Sequence, residues 1–373
     1  MRIALIVCDA LRFDHVSKDI CPNIWELARK GTFIENCYCQ FNQTIPSTAS
    51  ILTGTYPIFH KITELMPNKN LKPKTIQELL PKTYFKAAVT TLWYKDLSRG
   101  MNYTYKMKHP SEPYDQADKI TAQAVKLARE HEDLFLHIHY FDPHYPYRCP
   151  RKYADMFFDK PSQENNLEKA RRFMTEEAWK RFKQYADSVG VKDVDYFKAW
   201  YKGEIYWMDM QLSSLLEILE DDSLIILTSD HGEALGEHGI YFLHNVYLHT
   251  WITHVPLIIY PRINVKRTGF VEHVDIAPTI LDYLELPSIP LQGSSLLRED
   301  RKDAAFSQES RYRVSVAIRF KKYNAILTKR GDSMIGALYD LERDPLEQHP
   351  IADQDLWREA FKHLIRWEEK YWA

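Results

Sequence analysis

Long hydrophobic runs are missing from this 373-residue chain, and so is any marked charge imbalance. No stretch approaches the roughly 20 apolar residues that a membrane-spanning helix needs, so no membrane anchor is expected. The opening run Arg2-Ile3-Ala4-Leu5-Ile6-Val7 is too short, and too soon followed by Asp9, to read as a secretory leader. A formal charge of −2 offers no basis for a nucleic-acid surface or a polybasic membrane patch. Cysteine is sparse and odd in number: Cys8, Cys21, Cys37, Cys39 and Cys149 do not form a disulfide framework. Cys37 and Cys39 lack a matching second pair, which removes zinc-ribbon chemistry. These absences leave a soluble cytoplasmic protein as the expectation. They leave homo-oligomerisation, and removal of an earlier leader, open.

What the chain has is apolar content, 45% of it, enough for one large domain or one large and one small. Ile3 to Val7 is a continuous apolar run with a polar tip at Cys8-Asp9, the pattern of a buried parallel strand. Ala87–Leu92, Leu134–Phe141, Ser223–Thr228 and Pro256–Tyr260 read the same way. Helical spacing falls between them, at Asn23–Lys30, Thr75–Leu80, Ala117–Glu130, Tyr201–Leu219 and Asp275–Leu284. This alternation predicts an α/β fold with a mostly parallel sheet. After Pro287 the rhythm changes to short antiparallel strands, Val314–Phe320, Tyr323–Leu327 and Ala337–Asp340, closed by a helix near Leu356–Tyr371. Residues 1–287 therefore read as a catalytic domain, with 150–195 as a polar, peripheral helical insertion. Residues 288–373 read as a small α+β subdomain.

One segment organises the polar residues. Gln43 to Gly54 reads as a loop turning into a helix, with Thr44 as N-cap, Pro46 in the first turn and Gly54 as the stop. A hydroxyl at a helix start faces an anion site. Asp9 follows the first strand and Asp230-His231 follows a late one. Ligands in open α/β sheets bind outside the carboxyl ends of strands, so these groups can converge. Two carboxylates, an imidazole and a hydroxyl make a shell for a divalent cation, with Mn, Zn, Ca or Mg all admitted. Taken singly, each residue reads more simply as a cap or a turn.

The blocks around these residues resemble a known family. Asp9-Ala10-Leu11-Arg12-Phe13-Asp14 resembles the D-x-L-R-x-D opening of sulfatases. Thr44-Ile45-Pro46-Ser47 with Ala49 to Pro57 resembles their nucleophile segment, and Asp142-Pro143-His144-Tyr145-Pro146-Tyr147 their D-P-H-x-P-Y loop. Ser229 to Glu233, Leu235 to Gly239, Val255 to Ile259, Val274 to Thr279 and Leu338 to Leu341 with Asp344-Pro345 follow in the family's order. The chain thus resembles the sulfatase-like branch of the alkaline phosphatase superfamily. The resemblance implies a central mixed sheet between helices and a small C-terminal antiparallel sheet. It implies one metal held by Asp9, Thr44, Asp230 and His231, with Thr44 as nucleophile and His144 at the transferred group.

The departures are informative. Sulfatases carry a formylglycine made from cysteine or serine in C/S-x-P-x-R, and this chain has Thr44 and Thr48 there. Threonine cannot yield that aldehyde, because its β-carbon bears a methyl group. The usual second aspartate is Ala10, and the basic residues of G-K-W-H are absent near Thr90-Thr91-Leu92-Trp93, with Lys95 close by. His244 stands where a later lysine is expected. The reading is a hydrolase of small phosphoesters, a phosphodiester or phosphonate monoester before a sulfate ester, passing through a phosphothreonine. Thr44, His144 and His244 would be catalytic, and Trp93 and Lys95 would contact substrate. A second metal on Asp142, His144 and one of His244, His249 or His254 is the less favoured arrangement. A non-catalytic binding protein on a degenerate enzyme fold is the reading from another class.

Overall fold

Arg2–Cys8 is the strand on which the sheet is built, and its two faces explain its unbroken apolar sequence. Ile3, Leu5 and Val7 enter one core, while Ala4, Ile6 and Cys8 enter the other. The period of two therefore points apolar groups both ways, as in any strand covered on both faces. The computed structural model describes residues 1–64, 69–92, 94–106, 116–158, 165–220, 222–287, 289–310 and 314–372.

The sheet has seven strands in the order Thr32–Ile34, Leu257–Tyr260, Ser223–Thr228, Arg2–Cys8, Leu134–Tyr140, Phe85–Thr90, Tyr103–Lys106. Pairing is parallel except where Leu257–Tyr260 runs against its two neighbours. Helices Pro22–Lys30, Ala117–Glu130 and Val194–Leu219 cover one face, burying Ile24, Ile120, Leu127, Met208 and Leu212. Helices Thr44–Thr53, Ile76–Leu79 and Ile276–Tyr283 cover the other. Each fully buried aliphatic chain in these layers contributes about 1.5–3 kcal/mol relative to exposure. Three central strands end together, so Asp9, Asp142 and Asp230 emerge at one edge of the sheet.

The smaller sheet has four consecutive antiparallel strands, Ala304–Glu309, Val314–Phe320, Tyr323–Arg330 and Ser333–Asp340, backed by helix Gln354–Trp372. Its core takes Tyr56 and Val274 from the larger layer system. Two elements differ from expectation. Ala304–Glu309 was not anticipated, because its second half, Ser307-Gln308-Glu309, is polar yet largely buried. The charged segment after Pro150 forms helices, but its helix Glu176–Val189 sends Trp179, Phe182 and Ala186 into the main core. Its exposed face dominates the composition and hides that stripe.

Candidate active site

Thr44 is the first residue of its helix and Gln43 is the N-cap, one position earlier than expected. The reason is chemical. The Thr44 hydroxyl does not cap; it lies 3.4 Å from Asp9 Oδ2 and 3.3 Å from His231 Nε2. Gly54 ends the helix in the left-handed region, φ 62°, as a glycine stop does. Ser47 Oγ donates to the Asp230 carbonyl at 2.6 Å, which ties the first turn of this helix to the strand end carrying Asp230. His273 is a buried imidazole held between Ser47 Oγ and Thr228 Oγ1 at 3.3 Å each.

Asp9 is placed by its own amide, which donates to the Tyr140 carbonyl at 2.8 Å. Asp230 Oδ1 accepts from the Ala10 amide at 3.1 Å and the His231 amide at 2.9 Å. The His231 ring is set by Nδ1, which donates to the Gly232 carbonyl at 2.9 Å. That fixes Nε2 as the lone-pair nitrogen. Gly232 is required by close approach, since a Cβ there would collide with the Trp251 carbonyl. Arg12 braces the loop after Asp9, binding Asp14, Glu237 and the Glu233 carbonyl.

Asp9, Asp230 and His231 are fully buried and Thr44 is 5% exposed. Buried carboxylates without partners are costly. Among the described residues, Asp9 Oδ1 and Asp230 Oδ2 have no hydrogen-bond partner. Burial, then Asp230 and Glu233, push the Asp9 carboxyl well above its usual range. Burial opposes the charge on Asp230 too, but His231, His139 and the Ala10 amide hold it below the ordinary value. Burial pulls His231 down to about 4, against the pull of Asp230, so it is neutral at pH 7.

The spacings fit a cation. His231 Nε2 lies 3.4 Å from Asp230 Oδ2 and 3.7 Å from Asp9 Oδ1. With the two Thr44 distances, the set is long for hydrogen bonds. It is close to the edge of a tetrahedron with bonds of about 2.1 Å, which is about 3.4 Å. Among the described residues, Asp9, Asp230 and His231 are the one histidine, cysteine and acid group close enough to hold an ion. Two buried carboxyls with no lysine or arginine among their described partners suit a divalent metal.

The remaining predicted residues fall in three places. His244 stacks on His231 at 4.1 Å, and His144 meets His244 edge to face at 5.0 Å. Both keep some solvent access, unlike the buried cluster, so they line its open side. Burial, then His244, pull His144 down to about 3, and burial pulls His244 to about 4. Lys95 is exposed on the turn Lys95–Ser98, which packs against the Thr44 helix. Trp93 lies outside the described residues. The two-metal set does not assemble here. Asp142 Oδ1 accepts from the Ala117 amide at 2.9 Å at a helix start, His249 stacks on Trp251, and His254 stacks on Phe13.

Two residues were missed. Glu233 is buried, with Oε2 3.5 Å from His244 Nδ1, and burial pushes it up to about 7. His139 is buried with Nε2 3.5 Å from Asp9 Oδ2. Its strand reads Leu-Phe-Leu-His-Ile-His-Tyr, and two imidazoles on one face of a buried strand are the signal that could have found it.

Known proteins resemble this chain in sequence and in fold. The uncharacterized sulfatase YidJ of Escherichia coli (strain K12) is 26% identical over 276 residues, covering 66% of this chain and 53% of that protein. The choline-sulfatase of Rhizobium meliloti (strain 1021) is 27% identical over 267 residues, covering 61% and 49%. The chain thus spans about half the length of these relatives. Among solved structures, BT4656 in complex with its substrate D-glucosamine-2-N,6-O-disulfate superposes with a TM-score of 0.79 at 20% identity, covering 99% of this chain and 97% of that one. The phosphonate monoester hydrolase of Agrobacterium radiobacter gives 0.75 at 18% identity, covering 99% and 95%. These likenesses establish the mixed sheet and C-terminal antiparallel sheet as the same fold. The family model described as Sulfatase matches residues 3–286, most of the larger layer system, and the chain belongs to the sulfatase family.

Proposed function

We propose that this chain is a metal-dependent hydrolase of phosphoesters, phosphodiesters or phosphonate monoesters before others, that attacks through Thr44. One observation carries the reading: the Thr44 hydroxyl sits within 3.4 Å of both Asp9 and His231, in a buried cluster with unmet carboxylate oxygens. Asp9, Thr44, Asp230 and His231 would hold the ion. A bound divalent cation lowers the pKa of a hydroxyl beside it and neutralises charge on phosphoryl oxygens.

The chain's own groups do the rest. The first turn of the Thr44 helix leaves amides outside the intrahelical ladder, and its positive end favours phosphoryl oxygens. Thr44 Oγ1 forms a bond to phosphorus while the bond to the leaving oxygen breaks. His144 Nδ1 donates to the Tyr145 carbonyl, so its Nε2 carries a lone pair. The hydroxyl proton passes to Asp9 Oδ2, 3.4 Å away, and that His144 nitrogen holds the water that protonates the leaving oxygen on the far side. Water then attacks the phosphothreonine, the Thr44 Oγ1–phosphorus bond breaks, and a water proton restores the hydroxyl. His244, oriented by Glu233, contacts a non-bridging oxygen. Lys95, on its exposed turn, meets the outer part of the substrate.

Phosphorus is favoured over sulfur by what surrounds Thr44. Threonine cannot supply the gem-diol that expels sulfate. Thr48, at the arginine position, is fully buried and its hydroxyl has no partner, so no cation faces the nucleophile from that side. Fewer positive groups suit a monoanionic centre. The test is a metal-loaded enzyme offered aryl phosphodiester, phosphonate monoester, phosphomonoester and sulfate, alongside Thr44→Ala and Thr44→Ser. Phosphodiester or phosphonate turnover should fall at least about 10³-fold in the alanine variant and largely survive in serine. Wild-type turnover in Thr44→Ala would end the proposal, and turnover of aryl sulfate alone would move the substrate to sulfate esters.

A further inference from the structure

Away from the metal cluster, a buried cation lacks an ion-pair partner among the described residues. Arg319 lies on strand Val314–Phe320 of the smaller sheet and is 6% exposed. Its Nη2 donates to the Tyr38 hydroxyl at 3.0 Å, and its Cζ lies 5.0 Å from the centre of the Tyr38 ring. Among the described residues, Nε and Nη1 have no hydrogen-bond partner. An arginine stays charged at any pH a protein meets, and a buried charge without a counter-ion is costly. Glu347 is near enough for the two charges to act on each other. Its oxygens, however, are taken by Asn324 and by the amide and hydroxyl of Thr250.

Arg319 borders a cavity of about 380 Å³ lined from both layer systems. Trp251 lines it too, and its buried indole Nε1 has no partner among the described residues. The Tyr38 hydroxyl accepts from Arg319, so its own proton is left for an acceptor. Separate elements, Cys37–Tyr38, Thr250–Thr253 and Val314–Phe320, thus bring donors without acceptors to one cavity. The other charges there are spent. Arg12 binds Asp14, Glu237 and the Glu233 carbonyl, and Asp14 binds Arg12 and His15. His254 stacks on Phe13 at 4.0 Å and on Tyr38 at 5.0 Å, and donates Nε2 to the Glu35 carbonyl. Phe13, Leu341, Pro345 and Leu346 make the apolar wall.

We propose that this cavity binds a small carboxylate carrying a flat apolar group, with the Arg319 guanidinium as counter-ion and the Trp251 indole and Tyr38 hydroxyl as further donors. Unmet donors call for a ligand that only accepts. One cation without an acid suits a monoanion, since a phosphate dianion would leave net negative charge in the cavity. A planar carboxylate also matches a planar guanidinium. The stacked rings and the Leu341 to Leu346 wall suit the apolar part of the ligand. None of Asp9, Thr44, His144, Asp230, His231 and His244 lines the cavity, so the site stands apart from the reading of the metal cluster.

The experiment uses the full chain stripped of metal with a chelator, so that no bound ion offers an anion a second place. Benzoate, benzamide and inorganic phosphate are titrated by calorimetry into wild type, Arg319→Met and Leu346→Trp. Leu346 is 47% exposed, so a larger side chain there narrows the cavity without entering the core. The indole N–H signals are followed by NMR in wild type and Trp251→Phe. The proposal expects benzoate to bind wild type at one site. It expects benzamide, the same shape without the charge, to bind at least about 10-fold more weakly, and phosphate more weakly as well. Arg319→Met and Leu346→Trp should each lose at least about 10-fold in benzoate affinity. Benzoate should shift one indole signal, the one absent from Trp251→Phe. The comparison of benzoate with benzamide needs no variant, so a misfolded Arg319→Met leaves the test intact. No benzoate binding, equal binding of benzamide, or unchanged affinity in either folded variant overturns the proposal. Phosphate binding more tightly than benzoate overturns the choice of a carboxylate.

Discussion

Among the buried acids of the described residues, two pairs are built on opposite plans. Glu272 and Asp275 sit where the two layer systems meet. Glu272 accepts from Gln40, Tyr56, Lys302 and the Phe306 amide, all at 2.6 to 3.0 Å. Asp275 accepts from Lys302, the Glu272 and Ser294 amides and the Arg267 guanidinium. Two cations answer two anions. Burial opposes the Asp275 charge, yet Lys302 and Arg267 outweigh it and hold the carboxyl below its usual range. Asp9 and Asp230 are equally buried, have no lysine or arginine among their partners, and leave an oxygen each without a hydrogen bond. The first pair is finished by the chain and fastens Ala304–Glu309 to residues 271–275 at the start of helix Ile276–Tyr283. The second keeps unmet oxygens, the pattern expected of a site that binds an ion rather than of a structural ion pair.

The contrast can be broken from either side. Lys302→Met leaves Glu272 without a cation and Asp275 with Arg267 alone, and unfolding in urea should show a loss of about 3–5 kcal/mol with metal stoichiometry unchanged in the folded fraction. An equal loss of metal binding would mean the pairs are not independent. Adding metal to the stripped wild type should stabilise it by about 2.7 kcal/mol at 100 times the dissociation constant, read as a rise in Tm. No rise would place the stabilising ion elsewhere. Asp9→Asn removes one of two repelling buried charges, so the metal-free variant should be more stable than metal-free wild type by about 1–2 kcal/mol, while losing metal binding. A destabilised variant would mean that the Asp9 charge is already compensated.

The smallest effect calibrates the histidines. His60 is a buried imidazole with both nitrogens used, Nε2 with Ser50 Oγ at 3.1 Å and Nδ1 accepting from the Ile62 amide at 3.1 Å. Burial pulls it down to about 3. Its pKa is depressed on folding, so the unfolded chain binds more protons below about pH 6.5. Its contribution is complete above that value and fades as pH falls towards 3. His60→Asn should therefore reduce the loss of stability between pH 7 and 5.5 by about 1 kcal/mol, seen as a flatter dependence of the urea midpoint. An unchanged slope would show that His60 is already protonated in the folded protein.

Much of this was legible in the chain, and the parts that were not have physical reasons. Ile3–Val7 and Ser223–Thr228 are buried on both faces, so an unbroken apolar run followed by an acid located both the strands and the site residues at their ends. Thr44 was found through its helix, but its place one residue inside the cap was not. A threonine before a helix is usually read as capping, and here the hydroxyl is turned to Asp9 instead. His139 stayed hidden because apolar pattern was read along the strand and polar exceptions within it were not. Tyr103–Lys106 is a four-residue edge strand with polar, exposed positions, and carries no pattern of its own. His244 was singled out only through the resemblance, and its stacking on His231 and its contact with Glu233 are brought into view only by folding.

The most direct measurement is an anomalous-scattering difference map from crystals of the manganese- or zinc-loaded protein. The account predicts one strong peak at about 2.0–2.3 Å from Thr44 Oγ1, a carboxylate oxygen each of Asp9 and Asp230, and His231 Nε2. A peak bound elsewhere, or one at this cluster with Thr44 Oγ1 beyond coordinating reach, would contradict it.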